Sequence, residues 1–84
     1  MTESEIQAII GQLEVRGFGA EAISELRQTR PELRLVHVEA DDMDDHEAFA
    51  ERPGYRVFLL ASDGHCLTLT AGLDSAVGLI LAEL

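Results

Sequence analysis

His65 and Cys66 place an imidazole directly beside a thiol. A thiol becomes a nucleophile when a neighbouring base lowers its pKa. Adjacent residues on a β-strand point to opposite faces, so these two side chains cannot act together within one strand. We expect Cys66 to be a small half-buried residue and His65 to lie near a turn; a redox-sensitive or metal-binding thiol is the alternative. Because the chain has one cysteine, an internal disulfide is excluded.

Imidazole, carboxylate and thiolate groups are also metal ligands, which gives a metal-handling hypothesis. The candidate ligands are Asp42, Asp44, His46, His65 and Cys66. Counted from Asp42, a calcium loop would need glycine where Glu47 stands and glutamate where Pro53 stands. His37 is expected to be a hydrogen-bonded histidine of the core or of a sheet face. We predict no cofactor and keep a metal site as the alternative.

Ser75 follows Asp74 in a short segment, residues 72–76, that is similar to the Asp-Ser-Leu motif of acyl carrier proteins. In that family the serine carries phosphopantetheine and lies near the middle of the chain. Here alanine replaces the leucine, and nine residues follow the serine. The resemblance implies an acyl-carrier-like role only as a remote alternative, and we favour Asp74 or Ser75 as the cap of a helix.

Sixteen acidic residues and six arginines give a formal net charge of −10. This charge repels nucleic-acid phosphates and anionic membranes, so we predict neither as a partner. It attracts cations and basic proteins, although acidity also favours solubility. The chain has no lysine, which excludes a lysine Schiff base and a P-loop. No apolar run is long enough for a membrane span and the first residues do not resemble a secretory signal, so a cytoplasmic location is expected.

The predicted fold is built around a β-hairpin over residues 55–71 that turns on Asp63-Gly64, a dipeptide that favours a type I′ turn. Helices are predicted from the capping residue Thr2 to Gly17, over Ala20–Thr29, and from Asp74 or Ser75 onward. A strand is predicted over residues 33–39. Residues 40–54 are predicted as a loop that can include a short helix at 46–51, anchored by Phe49. The order ααβββα gives a single α+β domain, residues 1–84, whose antiparallel three-stranded sheet packs against helices.

Side chains alternate across the hairpin and divide it into two faces. The predicted core face, covered by the C-terminal helix, carries Phe58, Leu60, Leu67 and Leu69. The opposite face carries the candidate interface residues Val57, Leu59, Cys66, Thr68 and Thr70. Helices on one side would leave this second face uncovered, so we expect a homodimer or a protein partner to cover it.

Three segments in the second half of the chain carry a further resemblance: Phe58-Leu59-Leu60, Gly64-His65-Cys66-Leu67 with Leu69-Thr70, and residues 78–83. In these segments the chain resembles a family of small uncharacterised bacterial proteins encoded near nitrogen-fixation genes. The resemblance implies a cytoplasmic accessory to nitrogenase maturation or regulation, and it transfers no activity and no site residue. The expected function is that of a small acidic accessory protein, not an enzyme, that acts by protein binding or self-association.

Overall fold

The computed structural model describes the backbone of residues 1–63 and 66–84 and the side chains of residues 1–62 and 68–84. The chain begins with two helices, α1 (Glu3–Arg16) and α2 (Ala20–Thr29). The Glu5 amide donates a hydrogen bond to the Thr2 hydroxyl at 3.2 Å, which confirms the predicted cap. Gly17 ends α1 with a φ of +83°, which glycine adopts without strain. Both N-terminal helix predictions are therefore confirmed.

Five strands form one sheet in the part of the chain that is described. They are β1 (Arg34–Glu39), β2 (Ala50–Arg52), β3 (Tyr55–Asp63), β4 (Cys66–Thr70) and β5 (Ala76–Glu83). Their order is β1-β5-β3-β2. β4 pairs with the same edge of β3 as β2 does, but farther along the strand. β1 and β5 are parallel and the other pairs are antiparallel. The α+β class and the strand at β1 are confirmed, but the three-stranded antiparallel sheet and the order ααβββα are wrong.

The C-terminal segment is the largest correction, because it forms β5 between β1 and β3 instead of the predicted helix. Every residue from Gly78 to Ala82 is buried, since a strand in the middle of a covered sheet has neighbours on both faces. Such a strand has a near-continuous apolar sequence, which also fits one wide stripe of a helix. Asp74 and Ser75 cap no α-helix and lie in a 3₁₀ turn (Leu73–Ser75).

A second correction concerns residues 40–49, which we call the acidic connector. It begins with a 3₁₀ turn (Ala40–Met43) and leads into strand β2, whereas a loop that can include a short helix was predicted. Arg52 pairs with Tyr55, so Pro53-Gly54 forms a two-residue turn in which Gly54 has a φ of +90°. Phe49 is 37% exposed and therefore does not anchor the connector in the core.

The β3–β4 hairpin is confirmed as an antiparallel pair. Leu60 pairs with Leu69, which places both residues on the predicted face. Gly64, the second residue of the predicted turn, lies outside the described residues, as do the side chains of Cys66 and Leu67. The sequence therefore predicted the pairing and the alternation of faces correctly in the part that can be compared.

Two apolar clusters lie on opposite faces of the sheet. The larger cluster joins both helices to the sheet and includes Val57 and Leu59, which are 0% and 1% exposed. The smaller cluster contains Phe58, Leu60, Ile80 and Ala82 under Ala40 and Met43 of the acidic connector. The prediction that a helix covers the Phe58 face is therefore wrong: the helices cover the opposite face, and the connector packs on the Phe58 face.

Gly78 marks a close approach between β5 and β1, because a Cβ atom built on it would lie 2.1 Å from the Arg34 carbonyl oxygen. We expect Gly78→Ala to lower the free energy of unfolding by about 2–3 kcal/mol, since the strands must move apart. Gly11→Ala is the control, because beyond its chain neighbours and the backbone of its own helix the added methyl would meet no described atom within 4 Å. It should stabilise α1 by about 0.5–1 kcal/mol. Urea unfolding measures both values, and an unchanged midpoint for Gly78→Ala would contradict the packing.

Candidate functional site

An open cleft of about 410 Å³ lies between the acidic connector and the β3–β4 hairpin. It forms where two short strands share one edge of β3: β2 pairs as far as Val57, and β4 begins to pair at Leu59. The connector joins this edge through a hydrogen bond of 2.8 Å from the Phe49 amide to the Val57 carbonyl oxygen. The lining residues are His46, Glu47, Ala48, Phe49, Phe58, Leu59, Leu69, Thr70 and Ala71.

The cleft combines an apolar interior with polar groups at its exposed side. Phe58 is 2% exposed and Leu69 is half-buried, whereas Phe49 presents part of its ring to solvent. His46 and Glu47 are exposed. The Thr70 hydroxyl accepts a hydrogen bond of 3.1 Å from the Gly72 amide. Apolar concave surfaces with a few polar groups are typical of sites that hold an apolar group of a ligand or partner.

The acidic connector carries strong negative charge, and its Glu47 lines the cleft. Asp41, Asp42, Asp44, Asp45 and Glu47 are all exposed, and in the described part of the chain none of them forms an ion pair. Three arginines pair with glutamates elsewhere, in Arg16–Glu25, Arg52–Glu14 and Arg56–Glu51. A fourth, Arg27, donates to the Leu35 carbonyl oxygen. The negative potential of the connector is therefore not neutralised by these four arginines.

An aromatic cluster lies on the other face of the sheet, under the α1–α2 loop. The Phe18 ring stacks on Tyr55 with centroids 4.4 Å apart and meets the edge of His37 at 5.6 Å. His37 Nε2 lies 2.9 Å from Glu83 Oε1. The prediction of a hydrogen-bonded His37 is confirmed. The cluster fastens the α1–α2 loop to three neighbouring strands, which makes packing its evident role.

Tyr55 has a buried hydroxyl that finds no hydrogen-bond partner of good geometry among the described residues. Burial raises the pKa of this hydroxyl above its ordinary value near 10, and the Glu14 carboxylate raises it further. The Arg52 guanidinium partly offsets this increase in pKa. Its Nε donates a hydrogen bond of 2.6 Å to Glu14 Oε1. The neutral form of Tyr55 is therefore favoured in the folded chain.

The predicted metal ligands do not form a site in the part that can be compared. Among the side chains described, no group of three or more histidine, cysteine, aspartate or glutamate residues could hold a metal ion. Asp42, Asp44 and His46 lie along the exposed connector. His65 and the Cys66 side chain lie outside the described residues, so the metal alternative that uses them stays a prediction.

The predicted interface residues are separated by the fold. Val57 and Leu59 are buried under the helices, so the expectation that they form an uncovered face is wrong. Thr68 is exposed and Thr70 is half-buried at the cleft. The Cys66 side chain lies outside the described residues. Of these five candidates, Leu59 and Thr70 line the cleft.

Sequence reasoning missed the cleft because it missed β2. The usable signal was Pro53-Gly54, a dipeptide typical of a tight turn, between Arg52 and Tyr55. Read as a hairpin turn, it predicts a short strand before it, and it then places Phe49 at the edge of β3.

Comparison with protein families gives one result. A model described as a family of unknown function (DUF6129) matches residues 10–83. The chain belongs to this family. The match contains all of the strands named above, so both the cleft and the aromatic cluster lie within the DUF6129 region. No curated protein and no solved structure matches the chain. In the described residues, no helix combines the length and apolarity needed to cross a membrane.

The raised pKa of Tyr55 predicts a loss of stability at high pH. In the unfolded chain the tyrosine ionises near pH 10, whereas in the folded chain it stays neutral to higher pH. The free energy of unfolding should therefore fall as the pH rises from about 10 towards the folded pKa. Tyr55→Phe should remove this fall and have little effect near neutral pH, because the lost hydroxyl forms no hydrogen bond of good geometry with any described residue.

The measurement is direct because Tyr55 is the chain's single tyrosine. The ultraviolet absorbance of tyrosinate follows its ionisation in the folded protein, and urea unfolding at several pH values follows the stability. A folded-state midpoint at or below the ordinary value, or the same high-pH loss in Tyr55→Phe, would contradict the assignment.

Proposed function

We propose that this chain is a small acidic cytoplasmic accessory protein that acts by binding another protein through the cleft beside Phe49. The observation that supports this proposal is the position of a partly exposed aromatic ring at an apolar cleft, in a connector whose carboxylates form no ion pair with any described side chain. Aromatic residues, phenylalanine included, are enriched in protein interfaces relative to the rest of the surface.

Binding to a different protein has more support than self-association. Two copies of the chain would each carry a formal charge of −10, which opposes their approach. Val57 and Leu59, which were expected to face a second copy, are already buried within one chain. The metal-handling alternative has no comparable support among the side chains described.

The resemblance to proteins encoded near nitrogen-fixation genes supports a more specific proposal. The partner would belong to nitrogenase maturation or regulation, and the chain would have no catalytic step of its own.

Substitution of Phe49 tests the proposed binding. Wild-type protein, Phe49→Ser and Val15→Ser are immobilised and exposed to an extract of a nitrogen-fixing host, and the retained proteins are identified by mass spectrometry. Val15 is the matched control because it is an apolar residue of α1 with 87% exposure that does not line the cleft. Wild type and Val15→Ser should retain the same partner. Phe49→Ser should bind that partner about thirtyfold more weakly, because truncating a central aromatic anchor costs about 2 kcal/mol or more.

Circular dichroism and sedimentation of the three proteins establish that each is folded. Equal retention of every protein by wild type and Phe49→Ser would contradict binding through the cleft. A partner outside nitrogenase maturation and regulation would contradict the narrower proposal alone.

A further inference from the structure

The acidic connector and the cleft together indicate what kind of partner could bind. Residues 41–47 of the connector carry five exposed carboxylates, and the same segment continues into the cleft, which His46, Glu47 and Phe49 line. A partner that placed only an apolar side chain in the cleft would leave these charges beside its own surface. Complementary basic groups would instead be attracted to them, because opposite charges across an interface steer association and set specificity.

We infer that the cleft binds an extended, basic segment of another protein, with one large apolar side chain in the cleft and flanking arginine or lysine side chains against the acidic connector. This inference rests on the proposed function and names the chemistry of its partner. The volume of the cleft, about 410 Å³, is within the range of about 300–1,000 Å³ that is usual for ligand pockets. The apolar anchor would contact Phe49, Phe58 and Leu69.

Other occupants fit these observations less well. A second copy of the chain brings the same strong negative charge, and nucleic acid or an anionic membrane surface is repelled. A small apolar ligand could enter the cleft but would make no use of the connector carboxylates. A basic protein segment uses both the apolar lining and the charge.

A displayed library of random peptides of about twelve residues, about 40 Å when extended, provides the probe. Selection is made on wild-type protein with counter-selection on Phe49→Ser. The selected sequences should be enriched in arginine or lysine around one large apolar residue. Selected sequences without basic enrichment, or a failure to select any sequence that depends on Phe49, would overturn the inference.

Two charge variants then test the role of the connector with the strongest selected peptide. The connector variant carries Asp41→Asn, Asp42→Asn, Asp44→Asn and Asp45→Asn. The control carries Glu3→Gln, Glu21→Gln, Glu32→Gln and Asp74→Asn, four exposed acids outside the connector. Both variants remove four negative charges. Fluorescence anisotropy should show binding about tenfold weaker for the connector variant and a much smaller change for the control. Equal weakening would show a general charge effect and overturn the inference.

The outcomes separate this inference from the proposed function. A host protein that is lost on Phe49→Ser but bound equally by both charge variants would preserve the proposed function and overturn the basic-segment inference. A host protein retained equally by wild type and Phe49→Ser would overturn the proposed function, whatever the peptides show.

Discussion

The position of β5 between β1 and β3 is the constraint on which the rest of the fold depends. Leu79 and Leu81 of this strand lie in the core under the helices, whereas Ile80 and Ala82 lie in the core under the acidic connector. One strand thus supplies apolar surface to both faces, and each buried leucine contributes on the order of 2 kcal/mol to stability. The last strand in sequence completes both cores.

The same arrangement produces the cleft. β5 occupies one edge of β3 along almost its whole length, from Tyr55 to Ala61, so the other strands must pair with the opposite edge. β2 and β4 divide that edge and meet near Phe58 without continuous pairing. The connector enters the sheet at this point and brings Phe49 and Glu47 to the cleft. A structural requirement of the sheet therefore places an aromatic residue and a carboxylate together, at the end of an acidic segment.

Local signals in the sequence predicted the elements whose formation depends on nearby residues. Thr2 and Gly17 define α1 by capping, and the alternation around Leu60 and Leu69 defines the hairpin faces. The sequence could not distinguish β5 from a helix, because burial on both faces removes the alternation that marks a strand. That choice depends on long-range pairing with β1, more than forty residues away. The same error put a helix on the Phe58 face, so the face with Val57 and Leu59 was wrongly expected to be uncovered and to form an interface.

The backbone contacts of β5 provide the most direct test of this account. In nuclear Overhauser spectra of the folded protein, Ile80 should show backbone contacts to both Val36 of β1 and Phe58 of β3, its paired residues in the sheet. Contacts between residues three and four apart within 76–83, without contacts to β1 or β3, would show a C-terminal helix instead. That result would remove both cores as described and, with them, the reason for the cleft.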